Sequence, residues 1–137
     1  MKSSMTDGTE DSGVPRAINL PTRKSSAAFS NAVMAGNTLY ISGRLGLELS
    51  TGRPPASAEQ EARNVLDDLR SVLREAHLTM DDLVNVQIFC PDITLYDTFN
   101  QIYRGYFDDV LPTRAFIGSG PLLFGARFEL TGIAVRT

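Results

Sequence analysis

Two short apolar runs open the readable pattern, Asn31-Ala32-Val33-Met34-Ala35 and Thr38-Leu39-Tyr40-Ile41-Ser42, and they meet at Gly36-Asn37. A dipeptide able to take positive φ between alternating apolar segments predicts a hairpin over Ser30–Gly43. A loop with Thr51-Gly52 and Pro54-Pro55 follows. Ala58, Ala62, Val65, Leu66, Leu69, Val72, Leu73 and Ala76 then recur at three- and four-residue steps, with Glu59, Arg63, Asp67, Arg70 and Arg74 between them. This is one apolar stripe on a sheet-covering helix over Ala58–Ala76. Ser57 with Gln60 three residues on has the spacing of a capping box at its start. Thr79–Asp82 reads as a short capped turn, and Val84, Val86 and Ile88 alternate with polar residues as a strand over Leu83–Phe89. Leu95, Phe99, Ile102, Tyr103 and Tyr106 share one side of a second helix after Asp92, which Pro112 closes. Strands near Arg114–Gly118 and Arg127–Arg136 complete the order β-β-α-β-α-β-β. Hairpins plus two long crossovers imply an α+β domain, a mixed sheet with both helices on one face. The sheet's other face then needs solvent-tolerant residues or a partner subunit.

Residues 1–16, rich in Ser, Thr, Asp and Gly, read as a flexible N-terminal tail, and residues 17–137 as a single domain. Pro15 and Pro21 flank an extended entry segment. No apolar run reaches the ~18 residues of a membrane span. The N-terminal residues have no apolar core like that of a secretory signal, and their acidic residues argue against a transit peptide. A cytoplasmic protein without membrane contact is the expectation.

Composition narrows the chemistry. With one cysteine, Cys90, and one histidine, His77, the chain can form no internal disulfide. It is also short of ligands for a zinc site and of partners for a histidine-activated nucleophile. Carboxylate-only magnesium sites stay open, but nothing marks one, so no metal is expected. A net charge of −3 without a Lys/Arg cluster argues against nucleic-acid binding. His77 follows a helix end, where it can meet the last carbonyls. Cys90 reads as a small apolar residue. Tyr96, Phe99, Tyr103 and Tyr106 have the spacing of core or subunit contacts.

Two charges interrupt strand-like sequence near the C-terminus. Period-two alternation groups Glu129 with Thr131, Ile133 and Val135, opposite Phe128, Leu130 and Ala134. Arg114 opens the preceding strand after Pro112-Thr113. Spacing alone favours a structural ion pair or an exposed sheet face for such residues.

The segment Pro112-Thr113-Arg114-Ala115, with Glu129 fifteen residues after the arginine and Gly132-Ile133-Ala134-Val135 behind it, resembles the ending of the RidA/YjgF family. Gly36-Asn37-Thr38-Leu39-Tyr40-Ile41-Ser42-Gly43 is similar to that family's glycine–asparagine strand ending in serine–glycine. The Gln60–Ala76 helix, the Leu83-Val84-Asn85-Val86 strand and the Phe99–Tyr103 helix fall in family order, so the resemblance covers about residues 26–137. It implies a YjgF/chorismate-mutase-like α+β fold that assembles as a homotrimer with sites between subunits. It also implies cofactor-free hydrolysis of reactive 2-enamino and 2-imino acids, 2-iminobutanoate among them, to 2-keto acids and ammonia. Such metabolite damage control would act on intermediates of pyridoxal-dependent dehydratases.

The residue types suit that reaction. A guanidinium at Arg114 offers a planar fork to the substrate carboxylate. A carboxylate at Glu129 can direct a water, accept its proton and favour the electrophilic iminium. By resemblance Ser42, Gly43 and Asn100 also line the substrate site. Three positions depart from the family: Phe29 stands where a tyrosine is common, Phe116 where many relatives have cysteine, and Arg44 where glutamine is common. Arg44 adds a candidate second cation, consistent with an acidic aminomuconate-type enamine. Two other classes compete: a trimeric small-carboxylate binder or regulator without turnover, and an RNA-cleaving translation inhibitor. Arg114 and Glu129 are expected to face one pocket, and side chains on opposite sheet faces would sink this mechanism.

Overall fold

The structure is a computed structural model and describes residues 13–22 and 28–137. Most of the expected tail, residues 1–12, lies outside the described residues. The elements are β1 (Arg16–Ile18), β2 (Ala32–Ala35), β3 (Thr38–Leu45), α1 (Ala58–Glu75), β4 (Leu83–Cys90), α2 (Tyr96–Tyr103), β5 (Thr113–Gly118) and β6 (Glu129–Val135). Single 3₁₀ turns fill Met80–Asp82, Ile93–Leu95, Arg104–Tyr106 and Leu123–Gly125.

The extended entry segment becomes an edge strand: Arg16–Ile18 pairs antiparallel with β2. The hairpin forms as the pattern predicts, Ala35 opposite Thr38, with Gly36 at φ 61° where a side chain would be strained. The six strands lie in the order β1-β2-β3-β6-β4-β5. The last strand in sequence thus inserts between β3 and β4, antiparallel to both. β5 stays at the edge, parallel to β4, so β5 and β6 form no hairpin. The α2 crossover explains this, because a helix between consecutive strands returns the chain parallel to its start.

Helix α1 buries the predicted stripe: Ala62, Val65, Leu66, Leu69, Val72 and Leu73 lose all solvent contact against the sheet. Ser57 caps it by accepting from the Gln60 backbone N–H at 3.0 Å. The reciprocal half of the box is missing, since the Gln60 side chain turns forward to Asn64 at 2.9 Å. The helix ends in a Schellman motif, with Leu78 N–H donating to the Leu73 carbonyl at 2.9 Å and His77 N–H to that of Arg74 at 2.9 Å. His77 therefore meets the last carbonyls through its backbone, at φ 61°, and its ring is exposed.

One expected core position is displaced. Val84 is 46% exposed and Leu83 is buried in its place. A register shift between Leu83 and Asn85 against β6 turns the strand by one residue there. Cys90 is buried as expected.

Both helices pack on one face, over Ile41, Val86, Ile88, Phe128, Leu130 and Ala134. The other face presents Val33, Tyr40, Phe89, Ile117, Ile133 and Val135, half-buried or exposed, with no layer above them among the described residues. No helix among the described residues is long and apolar enough to cross a membrane.

A non-glycine residue in the left-handed region costs about 1 kcal/mol. His77→Gly is therefore expected to raise the stability measured by urea unfolding by about 0.5–1 kcal/mol, after the extra freedom of glycine in the unfolded chain is deducted. An unchanged or lowered midpoint would mean that the imidazole itself supports the helix end.

Candidate functional site

Strand β3 pairs Ile41 with Gly132 and Arg44 with Leu130, so three steps on β3 match two on β6. The surplus residue makes a bulge at Ser42-Gly43, a device that re-aims side chains and frees backbone near sites. Beyond it, Glu129 opens β6 opposite Leu45 on one side and Phe89 on the other. The Glu129 carboxylate lies against the Cα of Gly43, in the space where any Cβ at that position would sit. This is the close approach for which a glycine is needed. Ser42 is held in place by its N–H, which donates to the Asn31 carbonyl at 3.0 Å. Its hydroxyl donates to the Ser30 carbonyl at 2.6 Å. Asn31 is itself tied to Asn19 and Leu20 through hydrogen bonds of 2.8 Å. Phe29, 55% exposed, precedes this stapled segment and so stands at the same end of the sheet as Ser42.

A second cluster forms where β5 meets α2. Arg114 Nη1 donates to Asn100 Oδ1 at 2.7 Å, and Asn100 is buried. The guanidinium carbon sits 4.8 Å from the Tyr103 ring centre, 5.6 Å from that of Tyr96 and 5.7 Å from that of Phe116. Tyr96 and Phe116 meet edge to face at 5.0 Å. The rings hold the cation by cation–π attraction and leave it few ways to turn. Burial pushes the Tyr103 phenol up to about 12, with the Arg114 charge pulling the other way. Its hydroxyl has no hydrogen-bond partner among the described residues.

The two clusters do not meet within one chain. Glu129 shares its face of β6 with Thr131 and Ile133, away from the helices, while Leu130, Gly132 and Ala134 face inward. Arg114 points with Phe116 toward α2 on the helical side. The expectation that the two side chains face one pocket fails within the chain, because strand periodicity sends them to opposite faces. The mechanism as expected falls, and it stands again only if the between-subunit clefts that the resemblance implies bring Arg114 of one copy to Glu129 of another. Arg44 joins neither cluster. It pairs with Leu130 on the inward face, is buried, and its Nε donates to Asp68 of α1. Its charge is answered inside the fold, which removes it as a second substrate cation.

Sequence reasoning passed over two groups. Tyr96 and Tyr103 lie four residues before and three after Asn100, the helical spacing that puts all three on one face, although their pattern alone reads only as packing. Glu61 is wholly buried and accepts from Arg127 N at 2.7 Å and Arg127 Nη1 at 2.8 Å. Its first-turn position suggests only a dipole-favourable surface carboxylate. Among the described residues no three His, Cys, Asp or Glu side chains gather as a metal site would require.

A family model described as Endoribonuclease L-PSP matches residues 20–136. The chain belongs to this family, the YjgF/RidA family. A mouse relative named 2-iminobutanoate/2-iminopropanoate deaminase is 35% identical over 121 residues, covering 85% of this chain and 90% of its own. The rat protein of the same name is 34% identical over 110 residues, 80% of each chain. Among solved structures, the YjgF gene product of E. coli superposes with a TM-score of 0.82 at 25% identity, covering 89% of this chain and 99% of its own. E. coli TdcF with bound serine gives the same TM-score, identity and coverage. The YjgF/RidA fold inferred from the ordered motifs is thus the fold of this chain.

Tyr103 and Tyr106 are both raised by burial from 10.0 to about 12. Ultraviolet titration of phenolate should therefore show part of the tyrosine signal delayed to about pH 12. A phenol raised in the folded state contributes its stability below the unfolded value of 10.0, and that stability is lost as pH climbs from there toward about 12. Tyr103→Phe should flatten that alkaline loss. A single titration step near 10 for all four tyrosines would contradict the burial of both rings.

Proposed function

We propose that the protein is a cofactor-free hydrolytic deaminase of 2-enamino and 2-imino acids, working at sites assembled between copies of the chain in a homotrimer. The observation that carries this reading is the division of the site residues into two half-sites on opposite faces. Phe29, Ser42, Gly43 and Glu129 form one, and Asn100, Arg114 and Phe116 form the other. Opposite faces of one sheet close on each other only when a second copy docks. The uncovered face with Val33, Tyr40, Ile133 and Val135 supplies an apolar surface for that docking.

In the assembled cleft Arg114 takes the substrate carboxylate. Asn100 holds one N–H and the rings limit rotation, so the remaining fork is preorganised. Glu129 of the neighbouring copy, seated on Gly43, holds a water against the imine carbon and takes its proton on attack. Glu129 returns that proton to the nitrogen, the C–N bond of the carbinolamine breaks with formation of the C=O bond, and ammonia leaves the 2-keto acid behind. The relatives named 2-iminobutanoate/2-iminopropanoate deaminase support the reaction class.

The description of the family model favours RNA cleavage as a second reading. Against it stand a net charge of −3 and the pairing of Arg44 with Asp68 and Arg127 with Glu61. The aminomuconate alternative loses its support with Arg44.

Imino acids generated in situ by an amino-acid oxidase and trapped with semicarbazide test the reading. Wild type should suppress trapping, and Arg114→Ala and Glu129→Ala should each lose about 100-fold or more in rate over the spontaneous reaction. The two inactive variants, unfolded and refolded together, should recover roughly a quarter of wild-type activity by random assortment, because some clefts then combine two intact halves. Absence of recovery from well-folded mixed trimers would place both groups in one chain's site. Wild type inert on every imine but binding 2-keto acids would leave a carboxylate-binding protein.

A further inference from the structure

The β3–β6 pairing skips Ser42-Gly43 and resumes at Arg44–Leu130 and Leu45–Glu129, so Glu129 is in register while the glycine beneath its carboxylate lies in the unpaired bulge. Two carboxylates of α1 brace the segments on either side of that bulge. Glu61 and Asp68 are seven residues apart, so they share a face of the helix two turns along. Glu61 Oε2 accepts from the backbone N–H of Arg127 at 2.7 Å and of Phe128 at 3.4 Å, the two residues before Glu129. Its Oε1 accepts from Arg127 Nη1 at 2.8 Å, and that guanidinium also donates to the carbonyls of Pro55 and Ala56 at 2.9 Å. Asp68 holds Arg44, the residue directly after Gly43. Between the two anchors Gly46 is pressed so closely on the backbone of Glu61 and Val65 that no side chain fits there.

A buried ion pair is a poor source of stability, since desolvation consumes most of its Coulomb energy, and its best-attested use is to fix register. From this placement, and resting on the deaminase reading above, we infer that Glu61 and Asp68 are positioning residues. One anchors the backbone that leads into Glu129 and the other the backbone that follows Gly43, so the rigid helix sets the distance between carboxylate and glycine across the bulge. Neither touches the Arg114 half-site, which is built from α2 and β5. Their loss should therefore impair the chemical step and leave carboxylate capture intact.

The test compares Glu61→Ala, Glu61→Gln and Asp68→Ala with wild type in the imine assay, alongside thermal melts and crystal structures of the variants. Glu61→Gln keeps an acceptor oxygen for the two backbone amides and loses the ion pair. Expected is a fall of about 10- to 100-fold in kcat for the alanine variants, at temperatures where they remain folded, with KM within about two-fold. Glu61→Gln should recover much of the loss, and the alanine variants should show the Glu129 carboxylate lifted from Gly43. A lowered melting temperature with kcat unchanged, or a raised KM with kcat unchanged, would overturn the inference. Should Glu61→Ala fail to fold, Asp68→Ala and Glu61→Gln carry the test. If wild type hydrolyses no imine, the deaminase reading fails. The crystal structures then decide positioning alone, with Glu129 displaced in its favour or unmoved against it.

Discussion

The helices of this protein cover one face of the sheet and leave the other bare, and nearly everything else follows from that asymmetry. A strand alternates its side chains between faces, so every strand contributes one set to the α1–α2 core and one set to the open surface. Leu130 and Ala134 go inward under α1, and Glu129, Ile133 and Val135 go outward on the same seven-residue strand. Arg114 goes inward toward α2 from the edge strand. Two polar groups that chemistry would pair are thereby separated by the thickness of a sheet.

The strength of the core makes such a division tolerable. The α1 stripe from Ala62 to Leu73 is closed to solvent against Leu39, Val86, Ile88, Phe128 and Leu130. At ~25 cal/mol per Å² of apolar surface, burial of this kind is the main favourable term in folding. It holds the strands firmly enough to carry a bulge at Ser42-Gly43 and a buried carboxylate at Glu61. The charges that do enter the interior are matched: Glu61 by Arg127 and Asp68 by Arg44. Among the described residues neither Arg114 nor Glu129 takes part in an ion pair, as suits groups that meet a ligand.

Much of the architecture could be read from residue order. The hairpin at Gly36, the long amphipathic helix, the capped turn at Thr79–Asp82 and the strand after it are local patterns, decided by φ preference, periodicity and capping within a few residues. The placement of β6 between β3 and β4 was not legible, because strand pairing is a long-range matter on which alternation is silent. Val84 failed for a related reason: a register shift against β6 exposes it, and no local signal at Leu83-Val84 announces the shift. Arg44 looked like a site residue because it follows Gly43 in sequence, but the bulge sends it inward to Asp68.

Sequence by itself determined most element types and the family and supplied the candidate groups, Arg114 and Glu129 foremost, because motif order and side-chain functionality are properties of the chain. Tertiary structure alone decided which of those groups share a face of the sheet. That depends on the parity of each position relative to a bulge and on which edge of the sheet its strand occupies. Asn100 reaches Arg114 at 2.7 Å because α2 lies over β5, and Glu129 rests on Gly43 because the last strand inserts beside the first hairpin. Both are contacts between segments distant in sequence, whose geometry arises only when burial of the common core brings the strands into register.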